Sequence, residues 1–198
     1  MRYDIDHKAR TRERILDEAA SAIRASGPLG ISVGGLMKKA GLTHGGFYAH
    51  FGSKDDLVAE AIGHMFGGPY ANFAALTEGK PPAEALACYF DFYLSARHRD
   101  ARDRGCPLPS LSGDLARMPA SARARFGEGA DRLRRSIADL LEAMGRNDAE
   151  TLAASAIAEM VGAIALARAT DDPARSDDIL AATRGAVKDR LGLSTARH

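Results

Sequence analysis

The chain has no tryptophan and only two cysteines, Cys88 and Cys106, in 198 residues. Two cysteines cannot make the disulfide framework of a small secreted domain, and these lie too far apart for a metal knuckle. A reducing cytoplasm is the expected compartment. A run of 18 or more apolar residues is also missing, so no membrane span is expected. The longest uncharged stretch, 61–77, is interrupted by His64, Gly67, Gly68, Pro69 and Asn72 and reads as a helix end and a joint. The first residues have no basic-then-apolar leader. Alternating β-branched segments are nearly absent, which argues against a sheet. No nucleophile–base pair stands at motif spacing, and there is no phosphate-binding glycine loop and no cluster of metal ligands. Catalysis, a cofactor and a metal are therefore not expected, and a helical enzyme or ligand carrier is the remote alternative.

What is present suits a helical protein with a core. Hydrophobic residues make up 45% of the chain and the net charge is +1. The charge is unevenly spread. Residues 1–54 carry nine Lys/Arg against five Asp/Glu, a balance of +4, while 55–198 balance at −3. A basic head on a mildly acidic body suits a protein that meets a polyanion at one end.

Apolar periodicity and punctuation predict helices over 7–26, 32–40, 43–50 and from 53 onward. Further helices are expected at 83–99, 109–116, 120–144, 148–170 and 176–191. Ile15, Leu16, Ala19, Ala22 and Ile23 form the apolar stripe of the first helix. Lys8, Arg10, Arg12 and Arg14 are read as crowding its first turns, where they oppose the macrodipole unless a phosphate lies near. Ser32 and Thr43 are N-cap candidates, Ser53 with Asp56 fits a capping box, and Asn147 with Glu150 is another cap pair. Gly41 permits the left-handed backbone of a tight turn between two short helices, the spacing of a helix-turn-helix.

The segment from Ile31 to Leu57 reads ISVGGLMKKAGLTHGGFYAHFGSKDDL. With Gly41-Leu42, the run Gly46-Phe47-Tyr48-Ala49-His50-Phe51 and Ser53-Lys54-Asp55-Asp56-Leu57, it resembles the N-terminal domain of the tetracycline-repressor (TetR) family. The resemblance reaches back to Thr11–Ala20. It implies an all-α fold: a three-helix DNA-binding domain at 1–54, then a helical ligand-binding and dimerisation domain at 55–198. The second short helix would enter the major groove. By the resemblance, Thr43, His44 and Gly45 fall where bases are read. Tyr48, His50 and Lys54, with Ser32 and Val33, fall where the DNA backbone is touched. Phe47 and Phe51 are read as core, and Lys38 and Lys39 as solvated surface.

Beyond residue 65 the resemblance is architectural. Helix 148–170 is apolar over much of its girth, and Ile179, Leu180, Thr183, Val187 and Leu191 give the last helix its stripe. These two helices would pair with their copies in a homodimer. Phe66, Tyr70, Phe73, Tyr89, Phe92, Tyr93, Phe126 and Met160 are the candidate lining of an apolar pocket. Gly105-Cys106-Pro107 looks like an element of one branch of the family, some of whose members sense oxidants or electrophiles through a cysteine. Arg102, Arg104 and a following helix N-terminus would favour the Cys106 thiolate. A small buried residue in a tight turn is the other role open to it, and Cys88 reads as core. The resemblance thus implies a homodimeric repressor of a palindromic DNA operator, released by an unknown small apolar or electrophilic inducer. A redox or electrophile sensor acting through Cys106 is the alternative.

Overall fold

The computed structural model describes residues 2–193, with side chains except those of residues 2–6, Leu29 and His44. The described residues form an all-helical protein without strands. Helices α1 (Arg2–Ser26), α2 (Val33–Lys39) and α3 (Lys54–Met65) come first, with a 3-10 segment at His44–Ala49 between the last two. Then follow α4 (Gly67–Thr77), α5 (Pro82–Tyr93), α6 (Ala96–Asp100), α7 (Pro107–Leu111), α8 (Ala120–Ala143), α9 (Ala149–Ala169) and α10 (Pro173–Leu191).

Two compact units result. The first comprises Met1–Gly67 with Ser110–Gly129. Its core joins the α1 stripe (Ile15, Ala19, Ile23) to Leu36 and Met37 of α2 and to Leu57 and Ile62 of α3, all buried. Phe66 packs edge-on against Phe126, with ring centroids 5.9 Å apart. The second unit comprises Gly68–Pro109 with Ala130–His198. There α9 lies along α10, and Leu86, Phe90, Leu141, Met160 and Ile164 are buried. By length and composition α9 is apolar enough to cross a membrane. Its Glu159, however, pairs with Arg190 of α10, the arrangement of a helix packed on its neighbour.

Several element boundaries differ from the sequence expectation. The first helix begins at Arg2, so Lys8 to Arg14 sit beyond its first turn and do not oppose the N-terminal dipole. The stretch read as a joint forms α4: Pro69 falls in its first turn, where a missing N–H costs nothing. The helix expected over 83–99 breaks at Leu94, and Ser95 restarts it by accepting from the His98 N–H (3.2 Å). The helix expected over 109–116 is α7 and a 3-10 turn at Leu115–Arg117. The expected Asn147 cap moves to Asp148, which makes no side-chain cap bond. Ser53 caps α3 as expected, with its Oγ accepting from the Asp56 N–H at 3.0 Å.

Candidate DNA interface and ligand cavity

The candidate interface residues begin at the start of α2. Ser32 is extended and its Oγ accepts from the Gly35 N–H (3.3 Å), which satisfies one of the orphan donors of the helix start. Val33 is the first residue of α2 and is half-buried. The end of α2 is a Schellman turn. The Leu42 N–H donates to Met37 O (2.8 Å), the Gly41 N–H donates to Lys38 O (3.1 Å), and Gly41 has φ 70°. Arg14 of α1 donates to the Ala40 carbonyl at 2.7 Å and ties the turn to the first helix.

The next segment winds as a 3-10 helix rather than an α-helix. Its six residues include Gly45 and Gly46, which have little helix propensity, so side-chain anchoring must hold it. Phe47 and Phe51 supply the anchors: both are buried, and their rings stack with centroids 5.7 Å apart. Tyr48, between them in sequence, is 68% exposed and stands edge-on to Phe47. A Cβ built on Gly45 meets nothing within 4 Å, so this stretch of backbone is open. Thr43 is exposed and, contrary to the capping expectation, makes no side-chain cap bond. His44 opens the segment, but its side chain lies outside the described residues.

His50 is half-buried, and its Nδ1 is buried without a hydrogen-bond partner. Burial, with Lys8 and Arg12 nearby, pushes its pKa below the ordinary histidine value. Arg12 is engaged internally: it pairs with Glu60 and lies over the Phe51 ring, 4.9 Å from the centroid. Arg12 and Arg14, read from the sequence as part of a basic cluster, thus fasten the domain together. Lys54 is exposed in the first turn of α3, as are Lys38 and Lys39 at the end of α2.

The second unit holds a cavity of roughly 610 Å³. Of the eight aromatic and methionine candidates, Tyr89, Phe92 and Tyr93 line it. Phe73 packs edge-on to Tyr89 (4.7 Å between centroids), and Tyr70 lies under the Arg132 guanidinium (4.1 Å). Met160 is buried in α9, and Phe66 and Phe126 belong to the first unit.

Cys106 also lines the cavity and is buried. Sequence reasoning missed what holds it, namely His98. The His98 imidazole donates from Nδ1 to the Tyr93 carbonyl (2.8 Å), and its Nε2 accepts from the Cys106 N–H (3.2 Å). Those partners fix one neutral tautomer, and burial lowers the pKa further from its ordinary value. Gly105 makes the contact possible, because a Cβ there would come within 2.8 Å of Ala101 O and 3.3 Å of His98 Nε2. Arg168 donates to Arg99 O (2.9 Å) and His98 O (3.2 Å), satisfying carbonyls at the end of α6. Of the two arginines expected to act on the thiol, Arg104 is largely exposed beside Asp103, and Arg102 donates to Arg168 O. Nothing in the linear sequence placed His98 or Arg168 here, because both arrive from other helices.

Comparison with known proteins agrees with this architecture. The family model described as bacterial regulatory proteins, tetR family, matches residues 15–61. The model of the tetracyclin repressor-like C-terminal domain matches residues 82–183. A TetR transcriptional regulator from Chloroflexus aurantiacus is 26% identical, with a TM-score of 0.80 over 94% of this chain and 96% of that one. A TetR-family regulator from Agrobacterium tumefaciens is 25% identical, with a TM-score of 0.74 over 96% of this chain and 100% of its own. The reduced form of NemR from E. coli shares the fold at 20% identity, with a TM-score of 0.79 over 90% of this chain and 95% of that one. No curated protein matches the chain. The two family models together span the helix-turn-helix and most of the helical body, and the chain belongs to the TetR family of DNA-binding transcriptional regulators.

Proposed function

We propose that the chain is a homodimeric cytoplasmic repressor that binds a palindromic operator and leaves it when a small ligand fills the cavity of the second unit. The observation that carries the DNA-binding half is the split within one short segment. Phe47 and Phe51 are buried while Tyr48 between them is 68% exposed and Gly45 is open. An exposed tyrosine on a segment anchored by its neighbours suits contact with a partner outside the domain. In this proposal Thr43, His44 and Gly45 face base edges. Tyr48, His50 and Lys54, with Ser32 and Val33 at the start of α2, meet the sugar–phosphate backbone.

The dimer is supported by the outer face of α9 and α10. Leu166 is 62% exposed, and it borders a shallow groove with Gly162, Ile179, Ala182 and Ala186. Small residues there permit close helix contact with a second copy. A two-fold dimer matches a palindromic site. A ligand acts by binding the non-DNA-binding state more tightly, which shifts the population towards it.

The test is DNA binding as a function of salt. Affinity falls steeply with salt, by a log–log slope of about 0.9 per phosphate contact. Tyr48→Ala and Lys54→Ala each weaken binding, and Lys54→Ala also lowers the slope by about one contact. No specific binding by the intact protein at low salt would refute the proposal.

A second reading is favoured by the position of Cys106 on the cavity wall. In it, an activated alkene entering the cavity adds the Cys106 thiol: the sulfur bonds to one alkene carbon as the π bond breaks, the thiol proton ends on the other carbon, and the adduct switches the protein. Cys106→Ser then keeps DNA binding but no longer responds to an alkylating inducer. A mutant that still responds normally leaves Cys106 a packing role.

A further inference from the structure

The cavity of the second unit has a floor and a rim of different chemistry. The floor includes Tyr89, Tyr93, His98 and Cys106, all nearly inaccessible to solvent. The rim carries Arg97, Asp100, Asp103 and Arg104, all exposed, two of each sign. Asp100 is paired with Arg99 at 2.8 Å and Asp103 with Arg104 at 3.4 Å. The four rim charges sum to zero. No floor residue is a cation, and Arg168, which bears on Tyr93 and Cys106, already donates to the His98 and Arg99 carbonyls, so burying an anion would be costly.

One floor group is under-used. Tyr93 Oη is buried and has no oxygen or nitrogen partner. The Cys106 thiol bears on it, but sulfur is a weak hydrogen-bond partner. Burial, and next the Cys106 thiol, hold the hydroxyl far above the ordinary tyrosine pKa, so it remains a donor. The imidazole of His98 cannot compete for a ligand, because both its ring nitrogens are engaged. Phe92 and Tyr89 add ring surface beside that donor, and the Tyr89 hydroxyl, which burial likewise keeps protonated, is a second O–H on the same wall.

We propose that this cavity takes an uncharged aromatic carbonyl compound, whose oxygen accepts a hydrogen bond from Tyr93 Oη and whose ring lies against Tyr89 and Phe92. The proposal rests on the reading of the cavity as the inducer site. A volume of roughly 610 Å³ holds two fused rings with room for a substituent.

Three probes of one shape test it by calorimetry on the full chain without DNA: 2-acetylnaphthalene, 2-ethylnaphthalene and 2-naphthoate. The ketone carries no activated alkene or leaving group, so it does not alkylate Cys106. Wild type binds the ketone about tenfold more tightly than the ethyl compound and more tightly than the carboxylate. Tyr93→Phe binds the ketone and the ethyl compound about equally. Preference for the carboxylate, failure of wild type to bind the ketone, or full discrimination retained in Tyr93→Phe would each overturn it. The carbonyl stretch of the bound ketone gives a readout that needs no variant. It moves to lower frequency in wild type than in an alkane, and an unshifted band counts against the hydrogen bond. DNA binding by the same sample separates the two proposals: a protein that binds DNA but none of the probes loses only this one.

Discussion

Replacing His98 by glutamine removes the imidazole that joins the Cys106 backbone to the end of α5. In the wild type, Nδ1–H donates to Tyr93 O at 2.8 Å and Nε2 accepts from the Cys106 N–H at 3.2 Å. Both bonds need the neutral imidazole, and the native pKa lies below the ordinary 6.5, first because of burial. The unfolded chain therefore takes up the proton first as pH falls. Stability from this group is complete above the unfolded pKa and is lost on acidification below it, down towards the native pKa. Whatever the native value, the loss between pH 7.5 and 5.5 is at most about 1.4 kcal/mol, since each pH unit is worth about 1.36 kcal/mol. Glutamine does not titrate and can remake at most part of the pair, so the variant loses about 1–3 kcal/mol at pH 7.5. Urea unfolding at the two pH values is the assay. The wild-type midpoint drops on acidification, and the drop shrinks in His98→Gln by up to the bound above. What remains includes His50, whose pKa is lowered first by burial and then by Lys8 and Arg12. Arg168 bears directly on His98, and Arg102, Arg99 and Asp100 lie around it. Asp100, with its pKa lowered chiefly by the Arg99 hydrogen bond, loses its contribution only at more acid pH. A variant as acid-sensitive as the wild type would refute the assignment of the neutral tautomer.

Gly129 admits no side chain, because a Cβ there would lie 2.4 Å from the Phe66 ring. Gly129→Ala should cost about 1–3 kcal/mol in overpacking, more than the helix-propensity gain of about 1 kcal/mol, and a raised urea midpoint would contradict it. Ser53→Ala removes the 3.0 Å cap bond of α3 and should cost about 0.5–2 kcal/mol by thermal or urea unfolding; an unchanged midpoint would show the cap to be idle. Leu166→Glu places a charge on the exposed face of α9. Sedimentation should find the variant shifted to monomer at concentrations where the wild type is a dimer, with its helix content intact.

Much of the fold was legible because the signals were local. The α1 stripe follows from helical spacing, and the buried pair Phe47 and Phe51 from the need of a glycine-rich segment for apolar anchors. The Gly41 turn and the Ser32 and Ser53 caps follow from the chemistry of single residues. The misreadings had local causes too. Pro69 in sequence reads as a helix end, yet it fits equally well in a first turn. A break at Leu94 carries no glycine or proline to announce it. The basic run from Lys8 to Arg14 could not reveal that Arg12 pairs with Glu60 or that Arg14 reaches Ala40, because those partners are distant in sequence. The cavity was the least legible part. Aromatic residues at helical spacing were visible, but the His98–Cys106 contact joins two segments across a glycine whose need is set by Ala101 O.

Selection of bound duplexes from a random DNA pool tests the central proposal most directly, because it asks for sequence reading and for two-fold symmetry at once. The full chain should enrich an inverted repeat, with half-sites about one helical turn apart or a multiple of that. Tyr48→Ala should enrich it weakly or not at all. Enrichment of an asymmetric single site, or of no sequence above background at low salt, would contradict a dimeric operator-binding repressor.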